Sequence, residues 1–532
     1  MKGKLFKASA SAIALTVVLS GCGGSKEDSK GAASPSPSAS SAASVKPSAA
    51  PAKAVEFSWI GAYVPGNDTL VQKYLEQKYN VKIKPIGIDR SNWQQQISIK
   101  LASGEKPDLF GNLDISYTDF LNYVKQGLIG ELKEETIRKY MPNYSKMIDE
   151  TDPTAWKTGV VDGKNYGIPK FYGEGGSPFL PMYNSDWLKK VGYNEPPKTL
   201  AELEDVLTKF RNNDPDGNGK KDTYGITARG KDTLGSNQIF NTVFAAYGAN
   251  PGTWQVTKDG KVELGLTSEN ARAAFKTLNK WYKDGLIDPE FVTDDWNNYR
   301  AKFAGNKVGM ADQTLWYHAH SSGQLGADAA KAGVNMVAGK PVVGPQGKMM
   351  GITQGYKQVP FGLGAETVKD ENKVAAILKV LDGVALDPEA FMMVLYGEKG
   401  KHYDLVDGAP VPKGDFVDPI KAAATDGLKF FTTGSAPSML KYEYSAEKQA
   451  FKDKLNDKAI VQLTNPVAMT VIPSWDANKD ALTKLMKEYE LKLIIGEVDT
   501  DKGFDTFVAD MKKAGLDKAT EEANALYAAI KK

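Results

Sequence analysis

The chain has 532 residues, of which 41% are hydrophobic and 10% aromatic, and its 67 Lys and Arg face 65 Asp and Glu for a formal net charge of +2. That balance removes the electrostatic case for nucleic acid or an anionic membrane surface as partner, while the length suffices for more than one hydrophobic core. A single cysteine excludes an intrachain disulfide, and 27 prolines with 51 glycines predict many loops; no fixed-period repeat is evident.

The amino terminus carries Lys2, Lys4 and Lys7, then an apolar run over residues 8–19. The run is short for a membrane-crossing helix, so residues 1–21 read as a cleaved secretory signal. Leu19-Ser20-Gly21-Cys22 looks like a bacterial lipobox, implying cleavage before Cys22, lipid on its sulfur and acylation (palmitate-type) of the new amino terminus. The folded body is then expected to be anchored at the extracellular face of the cytoplasmic membrane. Residues 23–54 contain no aromatic, Leu or Ile and are rich in Ser, Ala and Pro, so residues 22–54 are expected to be a lipidated, flexible linker.

Residues 55–532 form the body. Val55 to Ile60 alternates as a strand, a helical pattern starts at Asp68 with Leu70, Tyr74 and Leu75, Val81 to Pro85 reads as a second strand, and Asn92 to Ala102 as a second helix. Pro107 to Phe110 is a third short strand leading to a loop over Gly111 to Asp114. Such alternation favours a parallel or mixed sheet covered by helices, an α/β fold with binding loops beyond the strand ends. A second α/β region begins near Phe179. Thr199-Leu200-Ala201-Glu202 satisfies a capping box, with Leu203, Leu207 and Phe210 on one helical face. Ala274, Phe275, Leu278 and Trp281 predict a core-facing helix stopped by Gly285, and charged helices over 480–493 and 521–530 are expected to cover the surface.

Asp214, Asp216, Asn218 and Asp222 stand at positions 1, 3, 5 and 9 of a calcium-type loop, with Gly219 at 6 and the Lys220 carbonyl at 7. This spacing wraps a hard cation in oxygens. Position 12 is Gly225 instead of a bidentate glutamate, so a distant residue, Thr223 or water must complete the shell. The expected role is a structural Ca2+ clip, with no organic cofactor.

Several separated segments carry a resemblance: Gly163 to Pro169, Tyr183 to Leu188, Pro197-Lys198-Thr199, Trp281 to Ile287, Phe303 to Met310 and Gly397 to Tyr403. Together they resemble the extracellular solute-binding lipoproteins of bacterial ABC sugar importers, in the LplA-like branch related to alginate-oligosaccharide-binding proteins. The resemblance covers essentially residues 55–532. It implies a two-lobed, type II periplasmic-binding-protein-like fold with a cleft between lobes, the first lobe spanning about 55–170 plus a later return segment and the second about 175–325 plus much of the C-terminal region. It also implies closure on ligand, delivery to permease subunits and, in the related alginate-binding proteins, a comparable calcium loop. The protein is expected to act as a monomer.

Sugar sites need aromatic platforms beside short polar groups. The candidates are Trp59, Tyr63 and Asn67 after the first strand, Trp93 with Asn92, Asp114 with Asn112, Tyr172 and Glu174 near the flexible Gly175 and Gly176, and Trp316 with its neighbours Tyr317 and His318; Trp254 and Trp475 are weaker candidates. No Gly-x-Ser-x-Gly elbow or His-Glu-x-x-His motif is present, and three histidines, including His318-Ala319-His320 and a Glu398/His402 pair, make no strong catalytic metal cluster. The expectation is a binder of an oligosaccharide and not an enzyme; a peptide binder is the main rival, ahead of a carbohydrate-active enzyme or an adhesion lipoprotein.

Overall fold

The computed structural model describes residues 53–89, 93–113, 115–236, 238–314, 324–455 and 458–531. The signal, Cys22 and the linker through residue 52 lie outside the described residues.

Alternation along β1 (Val55–Ala62) builds the first sheet. Phe57 and Trp59 join one apolar cluster with Leu109, Ile168 and Phe361, and Ile60 joins another with Ile86, Ile88, Phe110 and Phe120. A strand buried on both faces is what a parallel sheet between helical layers requires. α1 (Leu70–Tyr79), capped by the Thr69 hydroxyl, leads to β2 (Val81–Ile88), which pairs parallel to β1 along its whole length. α2 (Trp93–Ala102) leads to β3 (Leu109–Phe110), parallel to the other edge of β1. α3 (Tyr117–Lys125) starts in a reciprocal capping box between Ser116 and Asp119, and β4 (Gly167–Phe171) ends this stretch.

The second sheet has the order β8-β5-β7-β6, from β5 (Leu180–Asn184), β6 (Tyr224–Ile226), β7 (Val308–Gln313) and β8 (Met336–Ala338). β7 runs antiparallel to β5 and parallel to β6. Between β5 and β6 lies α4 (Leu200–Asn212), where Thr199 and Glu202 form both hydrogen bonds of the capping box anticipated from sequence. α5 (Asn241–Tyr247) and α6 (Glu269–Lys283) follow; Ala274, Phe275, Leu278 and Trp281 of α6 are all buried, and Gly285 beyond its end has φ 72°.

After β9 (Met349–Ile352) the chain returns to the first sheet as β10 (Lys357–Leu363), antiparallel to both β3 and β4. It later enters β11 (Ile460–Leu463), parallel to β9, and ends in α7 (Pro473–Ile495), α8 (Lys502–Lys513) and α9 (Leu516–Ile530). These last helices differ from expectation in two ways. α8 was not anticipated, and all three insert Leu482, Met486, Phe504, Phe507, Met511 and Ala519 into the cluster that holds Phe275 and Trp281. They are walls of a core, their many charges lying on the outer face.

The fold is two-lobed α/β. One large apolar cluster gathers residues from Phe57 to Phe171 and from Phe361 to Met439, the other from Phe179 to Ile352 and from Val467 to Ala523. Leu180, Leu440, Tyr444, Leu455 and Ile460 form a small cluster between them. Among the described residues no helix is long and apolar enough to cross a membrane.

Glu490 of α7 is fully buried; one carboxylate oxygen accepts the N–H of Gly235 and the other has no partner. Burial raises its carboxyl to about 8 from an ordinary 4.5. The folded state therefore holds this proton where the unfolded chain has lost it, so stability is lost as pH rises between those two values. The melting temperature is expected to fall between about pH 5 and pH 8, and Glu490→Gln, which keeps the acceptor without the charge, should flatten that slope. An identical slope in the variant would refute the assignment.

Candidate functional site

The lobes are joined where backbone meets backbone. Tyr172 N–H donates to the Tyr356 carbonyl at 2.8 Å, Gly355 N–H to the Gly175 carbonyl at 2.9 Å, and the Thr353 and Thr464 hydroxyls bond at 2.6 Å. A Cβ on Gly175 would lie 2.1 Å from the Gly355 carbonyl oxygen, and one on Gly176 2.1 Å from the Tyr356 hydroxyl. Only glycine allows the backbone approach at Gly175.

A cavity of about 230 Å³ opens beside this crossing, lined among others by Asn112, Lys170, Tyr172, Glu174, Ser435 and Glu443. Lys170 Nζ donates to Asn112 Oδ1 at 2.5 Å, and the Tyr172 hydroxyl donates to Glu174 at 3.1 Å. Glu443 accepts from the Ser435 hydroxyl at 2.8 Å and from the Tyr396 hydroxyl at 3.1 Å. Lys429, half-buried, has its ammonium pulled below the usual lysine value by desolvation, with Glu443 opposing that shift.

A second cavity of about 260 Å³ lies between the lobes. From the first lobe come Ser116 and Thr118 at the start of α3; from the second come Trp254, Asn465, Trp475 and Asp476. The two indoles meet edge to face, centroids 5.6 Å apart. Burial raises the Asp476 carboxyl above its ordinary value. The cavity combines aromatic surface with hydroxyl, amide and carboxylate groups, the set that grips a polyhydroxylated ring.

The residues anticipated from sequence are distributed unevenly. Tyr172 and Glu174 share the first cavity with Asn112. Trp59 requires correction: it lies inside β1, paired on both sides, with 0% exposure and edge to face with Phe431 at 5.5 Å. Its indole nitrogen sits so close under Gly111 that a Cβ there would be 2.0 Å away, so Trp59 supports the loop after β3 from below and offers no platform. Tyr63 has φ 76° just past β1 and is half-buried, while Asn67 is exposed; neither lines the two cavities. Trp93 opens α2, but its side chain, with Asn92, Asp114, Trp316, Tyr317 and the His318/His320 pair, lies outside the described residues. Trp254 and Trp475 become the described aromatic pair of the inter-lobe cavity, which no local signal announced because they are remote in the chain. His402 is 0% exposed, its Nδ1 accepting the Glu398 N–H and its Nε2 facing Asp426 at 3.0 Å, so the Glu398/His402 spacing is a packing feature.

The acidic loop is folded around Asn218. Its N–H donates to Asp214 at 3.1 Å and its side-chain amide to Asp216 at 2.7 Å and Asp222 at 3.1 Å, while Lys220 N–H donates back to Asn218 Oδ1 at 2.8 Å. Gly219 N–H holds the Asp214 carboxyl below the ordinary value; burial and then the nearby Asp214 carboxyl raise Asp216. Lys307 Nζ binds Asp222 at 2.8 Å and holds its carboxyl down. Gly225 is inside β6, where a Cβ would meet Leu207 at 2.8 Å, and the Thr223 hydroxyl donates to the Phe210 carbonyl at 2.8 Å. Gly225 brings no side-chain ligand, and the Thr223 hydroxyl is spent as a donor within the second core. Among the described residues no three Asp, Glu, His or Cys side chains already stand in a metal-ligating arrangement. The donor chemistry of Asp214, Asp216, Asn218 and Asp222 nevertheless suits a hard cation.

A family model for bacterial extracellular solute-binding proteins matches residues 69–366, from the cap of α1 through β10. The chain belongs to that family. A second model, for a domain of unknown function, matches residues 476–532. Lipoprotein LipO of Bacillus subtilis is 28% identical over 479 residues, covering 88% of this chain and 90% of LipO. The polygalacturonan/rhamnogalacturonan-binding protein YtcQ of the same organism is 23% identical over 524 residues, covering 96% of each chain. Among solved structures, the EF-hand mutant of the substrate-binding protein FusA from Streptococcus pneumoniae, in complex with fructo-nystose, superposes with a TM-score of 0.63 at 20% identity, covering 90% of this chain and 99% of FusA. These likenesses make this a solute-binding protein with the fold of its family.

Proposed function

We propose that the protein captures an oligosaccharide between its lobes and delivers it to the permease subunits of an ABC importer, without catalysing a reaction. The observation that carries this reading is the cavity bounded by Ser116 and Thr118 on one side and by Trp254, Trp475, Asn465 and Asp476 on the other. A ligand there touches both lobes at once, so binding favours the closed form by its differential contacts. Relatives named for polygalacturonan/rhamnogalacturonan and fructo-nystose binding support sugar as the solute class. Titration across oligosaccharides and peptides, with small-angle scattering, is the test. Expected are saturable sugar binding with compaction, and a loss of about 1–3 kcal/mol in Trp475→Ala, the partly exposed member of the pair, from the missing aromatic face. Selective peptide binding, or tight sugar binding with unchanged dimensions, would reject the reading.

The acidic loop is assigned to calcium, held by Asp214, Asp216, Asn218, the Lys220 carbonyl and Asp222 as a structural clip. The ligand spacing, the crowding of Asp214 against Asp216 and the EF-hand named for FusA support it. Calcium at about a hundred times its Kd should add about 2.7 kcal/mol of stability. Melting curves with calcium and with chelator are expected to differ for the wild type and to coincide for the Asp214→Ala/Asp216→Ala pair; identical wild-type curves would sink the assignment.

Cys22 is assigned as the lipidated amino terminus of a monomeric, membrane-anchored protein on the outer face of the cytoplasmic membrane, a reading supported by its lipobox and by the relative named as a lipoprotein. Mass analysis of the mature terminus is expected to find a diacylglyceryl thioether in the wild type and none in Cys22→Ala; an unmodified wild-type terminus in a lipidating host would overturn it.

A further inference from the structure

β7 ends in Asp312 and Gln313, followed by Thr314, and all three are buried. Asp312 Oδ2 accepts the N–H of Thr242, in the first turn of α5, at 2.7 Å, and its own N–H donates to the Tyr299 hydroxyl at 2.7 Å. Its second oxygen, Oδ1, has no partner. Asn241, adjacent to Thr242, is 1% exposed, and neither its amide nitrogen nor its amide oxygen is hydrogen-bonded. The Thr314 hydroxyl, on a residue 6% exposed, is also without a partner. Asp312 and Thr314 are two residues apart along an extended chain and so face the same way, while the Thr242 contact brings Asn241 to the same end of the sheet.

Buried polar atoms left unpaired cost stability, and native proteins keep few of them. With the hydroxyl of Thr242, itself 3% exposed, five such atoms on four side chains collect at one strand end. Their chemistry narrows what completes them. Oδ1 only accepts, the amide both donates and accepts, and the hydroxyl does either. One carboxylate with no second acid among these groups is a poor cation cage, and there is no positive group among them to receive an anion. Hydroxyl groups satisfy all five. Burial raises the Asp312 carboxyl to about 6, which leaves it chiefly ionised at neutral pH and able to accept two sugar hydroxyls.

We propose that Asp312, Asn241 and Thr314 form a second-lobe subsite for the hydroxyls of a neutral sugar unit, and that Asp312 discriminates there against uronic acids by charge repulsion. The proposal rests on the oligosaccharide reading above and adds to it which kind of sugar this end of the site accepts.

The test is calorimetric titration of the full mature protein with neutral oligosaccharides and with oligouronates of matched length, for the wild type and for Thr314→Val, Asn241→Leu and Asp312→Asn, with melting temperatures of all four ligand-free proteins. The wild type is expected to prefer neutral sugars, and each variant to bind them about tenfold to a hundredfold more weakly, the scale of a lost hydrogen bond involving a charged or buried group. Ligand-free Thr314→Val and Asn241→Leu are expected to melt no lower than the wild type, because each removes an unmade hydrogen bond. Asp312→Asn is expected to narrow the preference against uronates. Unchanged affinity in all three variants, lower ligand-free melting temperatures for Thr314→Val and Asn241→Leu, or wild-type preference for uronates would overturn the proposal while leaving the oligosaccharide reading in place. A wild type that binds peptides and no sugar would overturn both.

Discussion

The constraint on which the rest depends is the contact of main chain with main chain where the lobes join. At Gly175 no side chain fits between the segments, because even a methyl group there would penetrate the facing Gly355 carbonyl. Each lobe owns its sheet and its apolar cluster, and among the described residues the chain passes between them through residues 172–178, 353–360 and a longer stretch, 440–466, that includes the helix Ala446–Leu455 and the small cluster around Leu440 and Tyr444. Packed cores resist deformation, so a change in lobe angle is absorbed in the few residues that connect them. Small residues and the Thr353–Thr464 hydroxyl contact give that region grip without bulk.

The cavities inherit their chemistry from this arrangement. Around the crossing, charged groups are matched inside one lobe: Lys170 is bonded to Asn112, and Glu443 holds two hydroxyls while offsetting the burial of Lys429. Groups already hydrogen-bonded in the open protein lose less on desolvation when a cleft closes. The aromatic surface sits apart, at the inter-lobe cavity, where Trp254 braces Trp475 edge to face and so holds it in one orientation. Rigid aromatic faces lose little conformational freedom on binding, which suits a ligand whose own hydroxyls supply specificity.

Local signals in the sequence were faithful where the chemistry was local. The Thr199 capping box, the alternation of β1 and the apolar stripe of α6 each needed only neighbouring residues, and each formed. The site was legible only in part. Tyr172 and Glu174 could be found because glycines beside them marked a junction, but Trp59 lies within the strand itself, where pairing with both β2 and β3 and burial on both faces enclose the indole. Trp254 and Trp475 could be named only as weaker candidates and not as a pair, since their meeting depends on how α7 docks against the strand Trp254–Val256, a tertiary event. α8 was hidden for a related reason. Its charges dominate the composition, and only the positions of Phe504, Phe507 and Met511 betray the buried face.

Gly225 joins the two kinds of reading. By loop spacing it is the place of a missing ligand; by packing it is the one residue of β6 that must be small, because Leu207 of α4 occupies the space of its side chain. A glutamate there would have to displace the helix that closes the second core, so packing excludes the twelfth ligand. The loop is fastened differently, through Asp222 to Lys307, whose backbone carbonyl accepts the N–H of Tyr224 at 2.9 Å at the start of β6. The acidic loop therefore ties β6 to the entry of β7, the strand whose far end carries Asp312 and Thr314. β7 is itself paired on both sides, to β5 and to β6, so the Asp222–Lys307 ion pair braces the entry of a strand whose exit is held by the Asp312 contacts to Thr242 and Tyr299.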